Sequence, residues 1–147
     1  MMLALIISRL AASQVREAPA DAFVGAWSQG PNHVMTEDDW ARFDPCGCPM
    51  LIYRLGDDRI RVDRRRGSED HVVSRHGDDF LWTLVDDPTW RRGQQRLVRM
   101  ASEDVMLRAY LPGLETDWSR AIGSQRCPVP PDLDLSAPPV TRRPACI

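Results

Sequence analysis

MLIYRLGDDRIRVD (residues 50–63) and HVVSRHGDDFLWTLV (residues 71–85) decide the fold. Each is an apolar segment, a Gly-Asp-Asp punctuation (Gly56 to Asp58, then Gly77 to Asp79) and a second apolar segment. Glycine beside aspartate supplies the tolerance for positive φ that a tight hairpin needs. Arg59 to Asp63 alternates with a period of two, which places Ile60 and Val62 on one face of a strand. Met50 to Leu55 is apolar almost throughout and reads as a strand buried on both faces. Two near-identical turns predict two successive hairpins, joined through Arg66 to Glu69.

The same pattern extends in both directions. Upstream, Phe23 to Gln29 sets Phe23, Gly25 and Trp27 on one face and Val24, Ala26 and Ser28 on the other. Downstream, Gln95 to Met100 and Val105 to Leu111 form a hairpin across Ala101 to Asp104. Asp117 to Ile122 closes the series, with Trp118, Arg120 and Ile122 sharing a face. These segments predict an all-β chain folded as an eight-stranded antiparallel up-and-down barrel. With eight strands, a barrel is just wide enough to be filled by side chains or to hold one small ligand.

The longest connection, Gly30 to Pro49, contains Thr36-Glu37-Asp38-Asp39-Trp40-Ala41-Arg42-Phe43. A cap residue followed by acids predicts a short helix, and Trp40 and Phe43, three apart, share one side of it. Lying on the barrel mouth, that helix would bury both rings. After Cys127 the composition turns to proline (Pro128, Pro130, Pro131, Pro138, Pro139, Pro144), which predicts an extended tail, laid on the body or free. The domain reading is a signal-peptide-like segment at 1–13, a linker at 14–22, the barrel at 23–127 and the tail at 128–147.

Composition removes several functions. The chain of 147 residues has a net charge of -2, so the electrostatic attraction on which nucleic-acid binding relies is missing overall. All 19 of its Lys+Arg residues are arginine. Without lysine there is no Schiff base, phosphate-loop lysine or Ser-Lys dyad. Residues 1–13 are apolar to Ile7, interrupted at Ser8-Arg9, and end in Ala11-Ala12-Ser13, which resembles a secretory signal peptide and is too short to span a bilayer. The alternative is an amphipathic helix packed on the body.

Four cysteines, Cys46, Cys48, Cys127 and Cys146, agree with a periplasmic or secreted location and imply disulfides. Cys46 and Cys48 are too close to pair without strain. The Cys46-Gly47-Cys48 loop is therefore expected to be tied to Cys127, with Cys146 as a further partner. Cys-x-Cys near His33 is the one candidate for copper or zinc, but the second ligand pair of a closed site is missing, so neither metal nor cofactor is expected.

Gly25-Ala26-Trp27 in the first strand, the long connection at Gly30 to Pro49 and Arg120 in the last strand together resemble the lipocalin/calycin group of barrels. The resemblance implies that Arg120 packs over Trp27 and that the long loop is a lid. Short strands, and a Pro-rich tail in place of that group's last helix, depart from its pattern. The layout is also similar to small periplasmic barrels that inhibit proteases or lysozyme.

No Gly-x-Ser-x-Gly, His/Glu/His or phosphate-loop motif is present. His71 and His76, five apart on one strand, point to opposite faces. The pairs Asp57-Asp58, Asp78-Asp79 and Asp86-Asp87 are explained as turn formers. Arginines at 59, 61, 64 to 66, 96, 99 and 108 would make an anion pocket if several faced inward. The near-balanced charge favours an outer face paired with Asp and Glu. The function expected is a non-enzymatic binding protein for a small apolar or anionic molecule. Trp27, Trp82, Tyr110 and Trp118 would line its interior, with Trp40 and Phe43 at the mouth. A protein-interaction or inhibitor module with a filled barrel is the alternative.

Overall fold

The computed structural model describes residues 17–30, 34–65, 67–86, 91–110 (for Tyr110 the backbone alone) and 116–139. His33, Cys146 and the 1–13 segment lie outside them.

The described residues form a closed antiparallel barrel in chain order: β1 (Gly25–Trp27), β2 (Met50–Gly56), β3 (Arg59–Arg64), β4 (Gly67–His76), β5 (Asp79–Asp86), β6 (Gln95–Ser102), β7 (Val105–Tyr110) and β8 (Ile122–Cys127). Closure is made by β1, which pairs with β2 (Trp27 opposite Met50) and with β8 (Ala26 opposite Cys127). A short α1 (Glu37–Arg42) interrupts the first long loop. The two Gly-Asp-Asp tripeptides are used differently. Between β4 and β5 the turn is Gly77-Asp78, with Gly77 at φ 62°. Between β2 and β3 it is Asp57-Asp58, with a register shift across Arg54 and Gly56.

One end of the barrel is plugged. The 3-10 turn Pro19–Ala22 folds beneath it, held by Ala20 N donating to Asp57 O at 3.0 Å. Phe23 then enters edge-on against Phe80 and Trp82, with ring centroids 4.9 and 5.1 Å away. Trp27 donates through Nε1 to Phe23 O at 2.9 Å. Above this floor Ile52, Ile60, Val62, Val73, Val98 and Met106 complete the core. A hollow would leave its lining side chains with surface of their own. Phe23, Ile52, Ile60, Trp27, Trp82 and Met106 have none, so this half of the barrel is filled.

The basic residue over Trp27 is Arg126, not Arg120. Its guanidinium stands 4.3 Å from the indole centroid and donates to Val24 O (3.1 Å) and Ala22 O (3.3 Å), while Nε donates to Glu103 O (3.0 Å). The last strand begins later than its alternation signal. Trp118–Arg120 is a 3-10 turn capped by Asp117, and β8 is the mostly polar IGSQRC that follows. The segment 117–122 mimics a strand because its two large apolar residues, Trp118 and Ile122, fall on one side of a period of two, whereas β8 carries few apolar side chains to betray it.

Gly25 is what lets Arg126 in. Its φ is 154°, and a Cβ there would stand 2.5 Å from Arg126 NH1, a group that is stacked and doubly hydrogen-bonded rather than free to swing away. Gly25→Ala is expected to cost about 2 kcal/mol through backbone strain and displacement of the guanidinium. Urea unfolding followed by tryptophan fluorescence reads that cost. An unchanged midpoint would show that the guanidinium yields freely.

The described part of the Pro-rich tail, 128–139, is laid on the body at Leu135. Because β1 has only three residues, Arg54 N finds no ladder partner on that side of β2, and Leu135 O accepts from it at 2.8 Å, with Leu135 buried. Cys46 is bonded to Cys127 across a sequence separation of 81 residues, and Cys48 is also disulfide-bonded. Since Cys127 lies opposite Ala26 at the β1–β8 seam, the bridge draws the long loop down the outer wall.

Candidate functional site

The strands place a second, very different layer above the apolar one. Residues directly opposite each other in a ladder share a face. Val62 is opposite Glu69, Ile60 opposite His71, Trp82 opposite Arg96, Val98 opposite Arg108, and Met106 opposite Ser124. Every first member of these pairs is core, so Glu69, His71, Arg96, Arg108 and Ser124 all face inward, and all are buried. Arg64, two residues beyond Val62 on β3, belongs to the same face. These polar residues sit toward the end away from the plug, the mouth.

Glu69 is the hub. One of its oxygens, Oε2, accepts from His71 Nε2 at 3.1 Å and lies 3.7 Å from Arg64 NH2, while Oε1 lies 3.4 Å from Arg91 NH2. Arg108 reaches across the barrel, donating to Ser124 Oγ at 3.3 Å and to Met50 Sδ at 3.7 Å. Arg64, Arg91, Arg96 and Arg108 are each held by further interactions. Four arginines thus converge on a region to which the described inner face contributes one carboxylate.

The charge states follow from these contacts. Burial by itself would raise the Glu69 carboxyl, but the His71 hydrogen bond and the charges of Arg64 and Arg96 outweigh it and hold the group at about 2. His71 is pushed below its ordinary 6.5, mainly by burial; Glu69 opposes this, and Arg96 and Arg64 add to it. At neutral pH Glu69 is therefore ionised and His71 neutral. Because the carboxylate only accepts, His71 carries its proton on Nε2, and Nδ1 is a bare lone pair. Among the described residues no hydrogen-bond partner meets Nδ1.

Of the residues expected to line the interior, Trp27 and Trp82 are there, as packed core rather than pocket wall. Tyr110 lies opposite Arg96 in the ladder, and its side chain lies outside the description. Trp118 is on the outer wall, 4.1 Å beneath the guanidinium of Arg99, which itself makes a two-pronged pair with Asp79 at 2.9 and 3.0 Å. Arg120 is exposed and lies 3.5 Å from Asp117.

The α1 helix forms with its expected cap, Thr36 Oγ1 accepting from Asp39 N at 3.2 Å. It buries none of its residues. Trp40 and Phe43 pack on each other at 5.7 Å, and Trp40 stays 57% exposed, so they do not form the buried lid expected of them. The disulfide holds their loop against the wall instead.

The arginines divide by strand parity. Arg61 pairs outside with Asp70 at 2.8 and 3.1 Å, and Arg99 with Asp79, the outer-face reading. Arg64, Arg96 and Arg108 turn inward. Counting in twos from core residues would have found them: Arg96 from Val98, Arg108 from Met106, and Glu69 from Val73 through His71. Among the described residues no group of His, Cys, Asp and Glu is arranged to hold a metal ion, and no helix is long and apolar enough to cross a membrane.

Fold and site define a small disulfide-bonded β-barrel with an apolar plug and a cationic mouth. Comparison with family models, curated proteins and solved structures finds no match to the chain.

Proposed function

We propose that this chain is an exported, non-enzymatic binding protein of the lipocalin kind, and that its ligand is a small organic anion held at the barrel mouth. The observation that carries this is the convergence of Arg64, Arg91, Arg96 and Arg108 on a mouth whose described inner face holds one carboxylate, Glu69. Buried charge is costly, and clusters of it mark binding sites more often than they mark stability. Guanidinium matches oxyanions in a bidentate way, which suits the mouth to a carboxylate, phosphate or sulfonate group. The filled floor limits the ligand's apolar body to the upper barrel. The stacking of Arg126 on Trp27, with its hydrogen bonds to the carbonyls of the preceding turn, supports the lipocalin resemblance. The Cys46–Cys127 bridge supports export.

Calorimetric titration of the oxidised chain with hexyl carboxylate, phosphonate and sulfonate, against neutral hexanol, tests this reading. At least one anion is expected to bind, more weakly as salt rises, and hexanol not at all. Arg96→Gln should reduce the affinity about tenfold or more, the worth of a charge-assisted hydrogen bond. Hexanol binding as well as the anions would sink the idea.

A second reading, a protein-interaction or inhibitor module, is favoured by the pinned loop. Trp40 and Val34, 57% and 97% exposed, stand there beside Glu37, Asp38 and Asp39. Such a patch would fit an apolar pocket with a basic rim on a partner. Silence from all three anions would favour this reading, and Trp40→Ser would then be the variant to compare in partner capture.

A further inference from the structure

Two of the buried polar atoms at the charged cluster, among the described residues, stand out because each is its ring's one polar atom left over. Among the described residues, His71 Nδ1 and Trp82 Nε1 are buried with no hydrogen-bond partner, on residues 2% and 0% exposed. Their rings are neighbours, 5.5 Å between centroids. One atom is a bare acceptor and the other an N–H donor. A buried orphan of either kind is costly, and here two of opposite sense belong to neighbouring rings. The group that would satisfy both presents an acceptor and a donor within a few ångströms of each other.

The neighbours select that group's charge. His71 faces Glu69 from its own strand, Arg64 from β3 and Arg96 from β6, with Ile60, Trp82 and Leu84 as the apolar walls. Arg91 closes on Glu69 from the residues before β6, and Arg108 lies on β7 opposite Val98. Glu69 is already engaged by His71, Arg64 and Arg91, so the incoming group is anionic.

We infer that the polar layer where the mouth meets the packed floor is built for an oxyanion that still carries a proton, a phosphate monoester or phosphonate monoanion. Its P–OH donates to His71 Nδ1, while its anionic oxygens accept from the Trp82 N–H and the Arg96 guanidinium. The inference rests on the anion-binding reading of the mouth and deepens it. A sulfonate has the same shape and single charge but no proton to give, so its oxygen lone pairs would face that of Nδ1. Neither orphan atom has surface open to solvent, so the ligand enters by parting the side chains packed over them.

The test is a matched pair, hexylphosphonate and hexylsulfonate, titrated calorimetrically into the full oxidised chain at about pH 7 and about pH 9. At the lower pH the phosphonate is mostly the monoanion and is expected to bind at least about tenfold more tightly, the consequence of one buried acceptor met or unmet. At the higher pH it becomes a dianion without a P–OH, and the preference is expected to disappear although its charge has doubled. A site that reads charge alone would hold the dianion more tightly. That result, or equal binding of both probes at the lower pH, overturns the inference and leaves the anion site standing. Binding of neither probe overturns both. His71→Leu should bring the two probes to within about twofold of each other by removing the acceptor. Should that variant fail to fold, the pH series on the unaltered chain decides alone.

Discussion

Replacing Cys46 and Cys127 together by serine is expected to lower the unfolding free energy by about 4 kcal/mol. The bridge spans a sequence separation of 81, and the loop-closure entropy it removes from the unfolded chain amounts to roughly 4–5 kcal/mol. For a domain with a total margin of about 5–15 kcal/mol, that is a large share. The location matters as much as the length. The barrel is closed by β1, three residues long, and Cys127 is the residue paired with Ala26 at its centre. The crosslink therefore holds the seam at which the sheet would first open, as well as the loop beside it. Urea unfolding of the paired serine variant against the oxidised parent measures the effect, and non-reducing peptide mapping locates the bridge. A loss below about 1 kcal/mol would mean that the unfolded chain is already compact enough to make the crosslink redundant.

Glu69→Gln is the second large effect, because it removes the negative hub of a buried cationic cluster. His71, Arg64 and Arg91 all lean on this carboxylate, and stripping the charge from one member of a buried set typically costs about 3–5 kcal/mol. The same group also shapes the acid limb of stability. Its carboxyl is at about 2 in the fold against an ordinary 4.5, so its contribution at neutral pH is about 3 kcal/mol, complete above 4.5 and lost as pH falls toward 2. His71 is lowered from 6.5 and has the same sign: the unfolded chain takes up its proton first, so stability falls as pH drops below 6.5 toward the folded value. The parent should therefore weaken in two stages on acidification. The Gln variant should start lower and lose only the second stage, leaving the histidine stage in place. Denaturant midpoints collected from about pH 8 to about pH 3 separate the two. Parallel curves for parent and variant below pH 4.5 would show that Glu69 titrates as an ordinary surface acid.

The barrel was legible because its strands carry their own periodicity. Ile60 and Val62 alternate with Arg59 and Arg61, and Phe80, Trp82 and Leu84 alternate with Leu81 and Thr83, so the pleat can be read from either hairpin. The helix was legible for a different reason, since the Thr36 cap and its Asp39 partner are local to one turn. The last strand was not legible. β8 lies between β7 and β1, faces inward at Ser124 and takes its place from pairing rather than from its own apolar residues.

The site divides the same way. Chemistry alone could not tell the inward arginines from the outward ones, because Arg61 and Arg64 lie three residues apart and differ only in parity. Parity counts only after the register is known. The same limit moved the Trp27 partner from Arg120 to Arg126: Arg120 lies in the turn before β8 and Arg126 within it, and only the start of β8 decides which one returns to the first strand. It also moved Trp118 to the outer wall under Arg99. What the sequence determined by itself is the set of elements, through alternation, turn chemistry and caps, interactions that act between residues a few positions apart. Which side chains meet inside the barrel was decided by tertiary structure, because a one-residue change of register inverts every face and the register is set by partners as distant as Ala26 and Cys127.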